Sequence, residues 1–156
     1  MGEPASSPLA LDYDDLERRV GERVGPTAWT AVTQPQVAAF ADLTHDHQWI
    51  HVDELRAQAG PFGSTIAHGY LTLSLVPFLL GQLLEVSGIS MAVNYGLEKV
   101  RFPAPVPVGA SLRASAEIVD LRPGPGSKAM TVRVSVACDA AEKPVCVADV
   151  VILFVA

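Results

Sequence analysis

What most limits the fold of this chain is the order of its periodicities: one stretch apolar at every helical position, followed only by strand patterns. Over residues 68–84, Tyr70, Leu71, Leu73, Leu75, Val76, Phe78, Leu79 and Leu80 fall on all sides of a helix. A helix apolar all round is expected at the centre of a core. Pro77 brings no N–H to the ladder, so a kink or a break is expected there. After Gly88 the character changes to four runs rich in Val, Ala and alternation, at residues 91–102, 111–121, 130–139 and 145–155. The segments between them, 103–109, 122–127 and 140–144, are hairpin-sized and built from turn formers. Helices first and strands afterwards predict an antiparallel α+β fold rather than a βαβ sheet. With an early strand over residues 27–32, a five-stranded antiparallel sheet wraps around one long central helix.

The rest of the chain fits one domain. Residues 1–10 are Pro- and Ser-rich and are expected to be flexible, and residues 11–156 form the single domain, with no internal repeat. Leu16, Val20 and Val24 at helical spacing predict a short amphipathic helix over 11–24, stopped by Gly25-Pro26. Thr33 reads as an N-cap with Pro35 in the first turn, and Val37, Phe40, Ala41 and Thr44 give that helix its apolar face. A further short helix follows Asp53 and ends at Gly60-Pro61.

Composition then excludes several function classes. Apolar residues make up 49% of the 156 and charged ones 18%, the balance of a globule with a real core. A mean hydropathy of +0.30 leaves apolar surface to spare, which predicts a homo-oligomer, most simply a homodimer. A net charge of −6 and no Lys/Arg run argue against nucleic acid as a partner. Cys138 and Cys146 lack CxxC spacing and read as small core residues. The start of the chain has no signal-peptide pattern. The apolar stretch near 71–84, broken by Ser74, Pro77 and Gln82, is short for a membrane span. A cytoplasmic protein without membrane association is therefore expected.

Chemistry concentrates in residues 40–80. All four histidines, His45, His47, His51 and His68, lie there, with Asp42, Asp46 and Asp53. Asp46 and His51 flank a turn just after a helix, where one cleft can receive both. A carboxylate and an imidazole around one water can share acid–base work, although a turn-capping Asp and a packed His read equally from the spacing. At His68-Gly69 a glycine opens a helix whose free N–H groups favour negative charge, the place for an enolate or oxyanion. Close packing is the other reading of that glycine. His45, His47 and His51 with Asp46 look like metal ligands, but they match no HExxH spacing and have no cysteine partner, so no metal is expected. Asn94, Lys99 and Arg101 lie on or beside a strand where they meet either an anionic group or neighbours such as Glu98.

Read together, these residues resemble a known family. Phe40-Ala41-Asp42-Leu43-Thr44-His45-Asp46-His47-Gln48-Trp49-Ile50-His51 is similar to the signature of the MaoC-like, (R)-specific enoyl-CoA hydratases, roughly an aromatic, a small residue and Gly-Asp-x-Asn-Pro-(aliphatic)-His. Ile66-Ala67-His68-Gly69 resembles the family's second motif, and residues 100–109 its strand and turn after the helix. DHQWIHVD is similar to the actinobacterial-type branch named after nodulation protein N. The resemblance implies a hotdog fold that pairs as a homodimer and hydrates trans-2-enoyl-CoA to (R)-3-hydroxyacyl-CoA. It implies Asp46 and His51 as the catalytic pair and Gly69 as the N–H that meets the thioester oxygen. His68, Gln48, Trp49 and Asn94 would line the substrate, with Lys99 and Arg101 towards CoA. No cofactor is implied, CoA being part of the substrate. The chain departs from the pattern at His45, which replaces glycine, at Gln48-Trp49, which replace Asn-Pro, and at Pro77, where some relatives carry a serine. A hotdog thioesterase and a non-catalytic acyl-thioester or signal-binding module are the alternative readings.

Overall fold

Asp12 accepts a hydrogen bond from the Asp14 N–H at 3.0 Å and turns a short strand, β1 (Leu9–Asp12), into a 3-10 helix over Tyr13–Arg19. This opens the computed structural model, which describes residues 5–156. The amphipathic helix expected over 11–24 is therefore not formed. Its anchor Leu16 is fully buried, but from the 3-10 turn, while Val20 is exposed. The backbone of 9–12 instead pairs in parallel with residues 84–87, a partner no local periodicity reveals. Of the N-terminal stretch expected to be flexible, residues 1–4 lie outside the described residues. From Ser6 onward the chain is tied down, Ser6 N–H donating to Pro26 O at 3.0 Å and Leu9 N–H to Leu83 O at 2.8 Å.

The early strand arrives as two pieces, β2 (Arg23–Val24) and β3 (Thr30–Ala31). Gly25 between them has φ +116°, and a Cβ there would lie 2.7 Å from the Ser115 Cα, so only glycine lets the chain cross so close to the neighbouring strand. Helix α1 (Gln34–Thr44) starts where Thr33 and Pro35 predict, the Thr33 N–H donating to Gln36 Oε1 at 2.8 Å. Two short helices follow, α2 (Trp49–Val52) and α3 (Glu54–Gln58), the second capped by Asp53.

The central helix comes in two segments, α4 (Gly69–Ser74) and α5 (Val76–Leu80). Pro77 causes the joint, because it has no N–H for the ladder. Hydrogen bonds on either side still carry the turn across, from Leu75 N to Leu71 O at 3.1 Å and from Leu79 N to Leu75 O at 3.0 Å. The helix ends at Leu80, short of the expected residue 84, and Leu84–Ser87 forms strand β4 against β1. Nor is the helix buried all round within one chain. Leu71, Thr72, Val76, Leu79 and Leu80 are buried, whereas Tyr70 and Phe78 are exposed.

The strand patterns become β5 (Met91–Arg101), β6 (Ser111–Gly124), β7 (Ser127–Cys138) and β8 (Cys146–Val155). The sheet runs β2-β6-β7-β8-β5, with β3 also on β6. The expected fifth lane is thus shared by two short strands, which makes six strands in five lanes, and every pairing in this sheet is antiparallel. Alternation sends Leu112, Ala114, Ala116 and Ile118 of β6, and Met130, Val132, Val134 and Val136 of β7, into the core against Val76, Leu79 and Leu83. Each such Val, Leu or Ile contributes roughly 1.5–3 kcal/mol of burial. Cys138 and Cys146 are buried in this core as well, and burial pushes the Cys146 thiol up to about 11. The result is the hotdog arrangement, an α+β fold with the sheet wrapped over the central helix. No helix among the described residues is long and apolar enough to cross a membrane.

Candidate active site

Helix α1 ends at His45 in the left-handed region, φ 60°, which swings the chain out of the helix directly before Asp46. The Asp46 carboxylate accepts a long bond, 3.4 Å, from the Gln48 N–H, and its side chain is 52% exposed. One turn later, α2 presents His51, which is only 6% exposed. Its ring is fixed from both sides of the backbone. Ile66 N–H donates to Ile50 O at 3.0 Å, and His51 Nδ1–H donates to Ile66 O at 2.7 Å. That bond assigns the proton to Nδ1 and leaves Nε2 as the free acceptor. Burial holds the imidazole below its ordinary pKa of 6.5. The Ile66 carbonyl opposes this, His68 reinforces it and the Asp46 charge opposes it.

His68, the residue before α4, is 2% exposed. Its Nε2–H donates to the Asp46 backbone carbonyl at 2.9 Å, and Nε2 stands 4.0 Å from the Asp46 carboxylate. Its ring stacks on His51 at 3.7 Å with the planes 25° apart, and Phe40 sits at 5.0 Å. A carboxylate oxygen of Asp46 and one ring nitrogen each from His51 and His68 lie within 4.8 Å of one another. These are not the metal ligands the spacing suggested, since His47 pairs with Asp42 at 2.8 Å and His45 is exposed. The trio also suits a metal poorly. Each imidazole lone pair lies in its ring plane, and two nearly parallel stacked planes do not converge on one ion.

His51 and Gly69 open onto a cavity of about 320 Å³ whose walls include Ile66, Thr72, Phe102 and Val106. Gly69 is the first residue of α4, so its N–H has no partner inside the helix. A Cβ at this position would lie 2.9 Å from the Phe102 ring, which packs directly over the glycine. Bonds from Ala67 N to Val106 O at 2.8 Å and from Val108 N to Thr65 O at 2.9 Å tie the two walls together.

The remaining expected residues stand apart from this cluster. Gln48 stands at the N-cap position of α2 without a side-chain capping bond and is exposed. Trp49 is held between the Arg56 guanidinium, 4.4 Å from its ring, and Gly60, and is not among the residues lining the His51 cavity. Asn94 lines a different apolar cleft, of about 220 Å³, between the central helix and β5, with Leu73, Val76, Pro77 and Leu97. Lys99 faces Asp149 across the strands, and Arg101 donates to the Val100 carbonyl at 2.7 Å. None of these three joins His51 within one chain. Two residues that sequence reasoning passed over do join it. The Gln34 amide donates to His51 O at 2.8 Å and accepts the Thr65 hydroxyl at 2.6 Å, bracing α1, α2 and the strand-like 65–67 segment. A glutamine in a first helical turn gives no local sign of such a role.

The family described as MaoC like domain matches residues 15–140. The 3-hydroxyacyl-thioester dehydratase Z of Mycobacterium tuberculosis is 51% identical over 143 residues, covering 91% of this chain and 95% of that protein. Nodulation protein N of Rhizobium meliloti is 37% identical, over 89% of this chain and 88% of its own. Among solved structures, the (R)-hydratase of Aeromonas caviae involved in PHA biosynthesis is similar with a TM-score of 0.66 at 28% identity, covering 85% of this chain and 94% of that one.

Proposed function

Because the chain belongs to the MaoC-like dehydratase family, we propose that it reversibly hydrates a trans-2-enoyl-CoA to the (R)-3-hydroxyacyl-CoA. The observation that carries this reading is the Asp46 carboxylate beside a His51 whose proton is fixed on Nδ1, at a cavity that also holds Gly69. Two acceptors side by side hold one water by both of its protons and leave its lone pairs to attack. As the water oxygen bonds to C3, one proton passes to the acid–base pair and the C2–C3 electrons move towards the thioester oxygen. The Gly69 N–H meets that oxygen as it becomes an enolate. The proton then returns to C2, so the sum is one water added across the double bond. General acid–base help of this kind is worth roughly 10²–10⁴-fold. CoA is part of the substrate, and the sequence of steps needs no further cofactor.

The active unit in this proposal is a homodimer built on β5. Among the described residues this edge strand has only β8 as a neighbour, and Met91, Val93, Tyr95 and Leu97 are all exposed along it. A long apolar edge is what a second strand covers. The Asn94 cleft lies on the same side, between β5 and the central helix, and would be enclosed by that pairing.

The test is loss of enoyl-thioester absorbance with crotonyl-CoA and with a longer trans-2-enoyl-CoA, the product being passed to (R)- and (S)-specific 3-hydroxyacyl-CoA dehydrogenases. An (R) product that disappears in Asp46→Asn supports the proposal. Release of free CoA from a saturated acyl-CoA, or binding without turnover, overturns it in favour of a thioesterase or a binding module.

A further inference from the structure

We infer that His68 is a positioning residue that aligns Asp46 with His51 and does not itself touch the substrate. The inference rests on the hydratase reading for its kinetic arm. Its structural basis is independent of that reading.

His68 contacts both members of the pair. Towards Asp46 it acts through the backbone, its Nε2–H donating to the carbonyl oxygen at 2.9 Å. That matters because, among the described residues, the Asp46 carboxylate is otherwise held only by the 3.4 Å bond from the Gln48 N–H, on a turn that is exposed at every residue from 42 to 48. Without the His68 bond the turn is still tied back to α1 by the exposed His47–Asp42 pair at 2.8 Å, which gives Asp46 itself no partner. Towards His51 it acts through the ring, which lies 3.7 Å away and nearly parallel. His51 already has its rotation fixed by Ile66 O, and the His68 face fixes the remaining tilt. Phe40, on α1, packs against the His68 ring at 5.0 Å, so the ring that meets His51 is itself held.

Several observations argue against direct contact with substrate. His68 is 2% exposed and does not line the cavity onto which His51 and Gly69 open. Its remaining nitrogen, Nδ1, is buried and meets no hydrogen-bond partner among the described residues. With the proton on Nε2, Nδ1 is a bare lone pair inside the core, a cost the fold accepts only because the other nitrogen is needed at Asp46. A phenylalanine would remove that cost. The chain keeps a histidine where packing alone favours a phenylalanine, which marks the donor as the function.

Two variants separate alignment from packing. His68→Phe keeps a ring to stack between Phe40 and His51 but has no donor. His68→Gln keeps an N–H able to reach the Asp46 carbonyl but has no ring. If His68 aligns Asp46, the activity order is wild type, then His68→Gln, then His68→Phe, with kcat of the last down roughly 10- to 100-fold and KM within about threefold of wild type. The thermal stability order runs the other way between the two variants. Activity that follows stability, or a His68→Phe enzyme within threefold of wild type in kcat, overturns the inference. Backbone ¹⁵N relaxation of residues 46–48 supplies a readout besides turnover. Raised mobility there in His68→Phe and not in His68→Gln supports the alignment role, and unchanged mobility in both overturns it. A wild-type protein that turns over no enoyl thioester overturns the hydratase reading, while the relaxation data still decide the role of His68.

Discussion

The Nδ1–H of His51 donates to the carbonyl oxygen of Ile66 at 2.7 Å, fifteen positions on, joining the end of one family motif to the start of the other. This one bond fixes the tautomer and leaves Nε2 as the acceptor of the ring. Burial lowers the pKa of the same ring below 6.5. The neutral imidazole is the form that accepts a proton, so kcat/KM is expected to fall on the acid side with a midpoint below 6.5. Stability follows the same sign. The unfolded chain takes up the proton near 6.5 and the folded chain resists it. The His51 contribution is therefore complete above about 6.5 and is lost as pH falls through the lowered folded value. An NMR titration of the His51 ring checks both. A midpoint at or above 6.5 would contradict the burial argument.

Asp46 and His51, the proposed catalytic pair, should separate in their effect on stability. Asp46→Asn changes a half-exposed carboxylate and leaves the backbone carbonyl bond to His68 in place. It is expected to cost less than about 0.5 kcal/mol. His51→Leu removes a buried donor and leaves the Ile66 carbonyl unpaired, at about 1–3 kcal/mol. Both should lower turnover by roughly 10²–10⁴-fold. Urea denaturation beside the enoyl-CoA assay measures the two effects. Equal stability losses would show that His51 is less constrained than its contacts indicate.

Gly69 and Phe102 form a second testable pair. A Cβ at residue 69 lies 2.9–3.1 Å from three atoms of the Phe102 ring, so Gly69→Ala forces the ring to move. The backbone N–H survives the change, yet its surroundings shift at the point where the thioester oxygen is proposed to sit. Gly69→Ala is expected to lower kcat/KM by about tenfold or more, and Gly69→Ala/Phe102→Leu to regain part of the loss. Failure of the double variant to regain activity would mean that the alanine acts on the backbone rather than on the ring.

Gln34 is predicted to be a brace. Gln34→Leu removes a donor to His51 O and an acceptor for the Thr65 hydroxyl, and should cost about 1–3 kcal/mol. Gln34→Glu keeps the acceptor and loses the donor, so it should fall between wild type and Gln34→Leu in melting temperature. Scanning calorimetry of the three proteins decides this. Indistinguishable midpoints would dismiss the brace.

Legibility in the sequence follows the range of the interactions. Period-two alternation at 111–121 and 130–139 is a local property, and both strands form there, extended to Gly124 and back to Ser127 so that the expected 122–127 turn shrinks to residues 125–126. Thr33 and Pro35 likewise marked the α1 start through groups only three residues apart. Asp46, His51, His68 and Gly69 were legible because two motifs stand in order, and the fold brings all four to one place. Contacts that join distant segments were not legible. Leu9–Asp12 finds its partner at residues 84–87, and so abandons the helix its own spacing predicts. Gln34 reaches Thr65 across 31 residues. The Trp49 ring packs against Arg56 and Gly60, a placement that no local pattern gives. The apolar excess on Tyr70 and Phe78 predicted a helix buried on all sides, and within one chain those residues stay uncovered.

The same uncovered surface leads to a prediction about assembly. Residues 91–97 of β5 carry no charge, and Met91, Val93, Tyr95 and Leu97 are all exposed beside unpaired backbone groups. Isolated edge strands are ordinarily blunted by Lys, Pro or a covering element, and here the first charges come only at Glu98 and Lys99. Sedimentation should therefore report twice the 16.5 kDa chain mass for the wild type. Val93→Asp/Tyr95→Glu places two carboxylates on that edge and, with its symmetry-related copy, four like charges in one seam. The pair of substitutions touches no residue of the Asp46–His51–His68 cluster, so it should leave the fold intact by circular dichroism while the mass falls to that of one chain. Activity should fall with it, because the cleft of Leu73, Pro77 and Asn94 then stays open to water. A wild-type monomer, or a variant that remains a full dimer, would remove β5 as the interface.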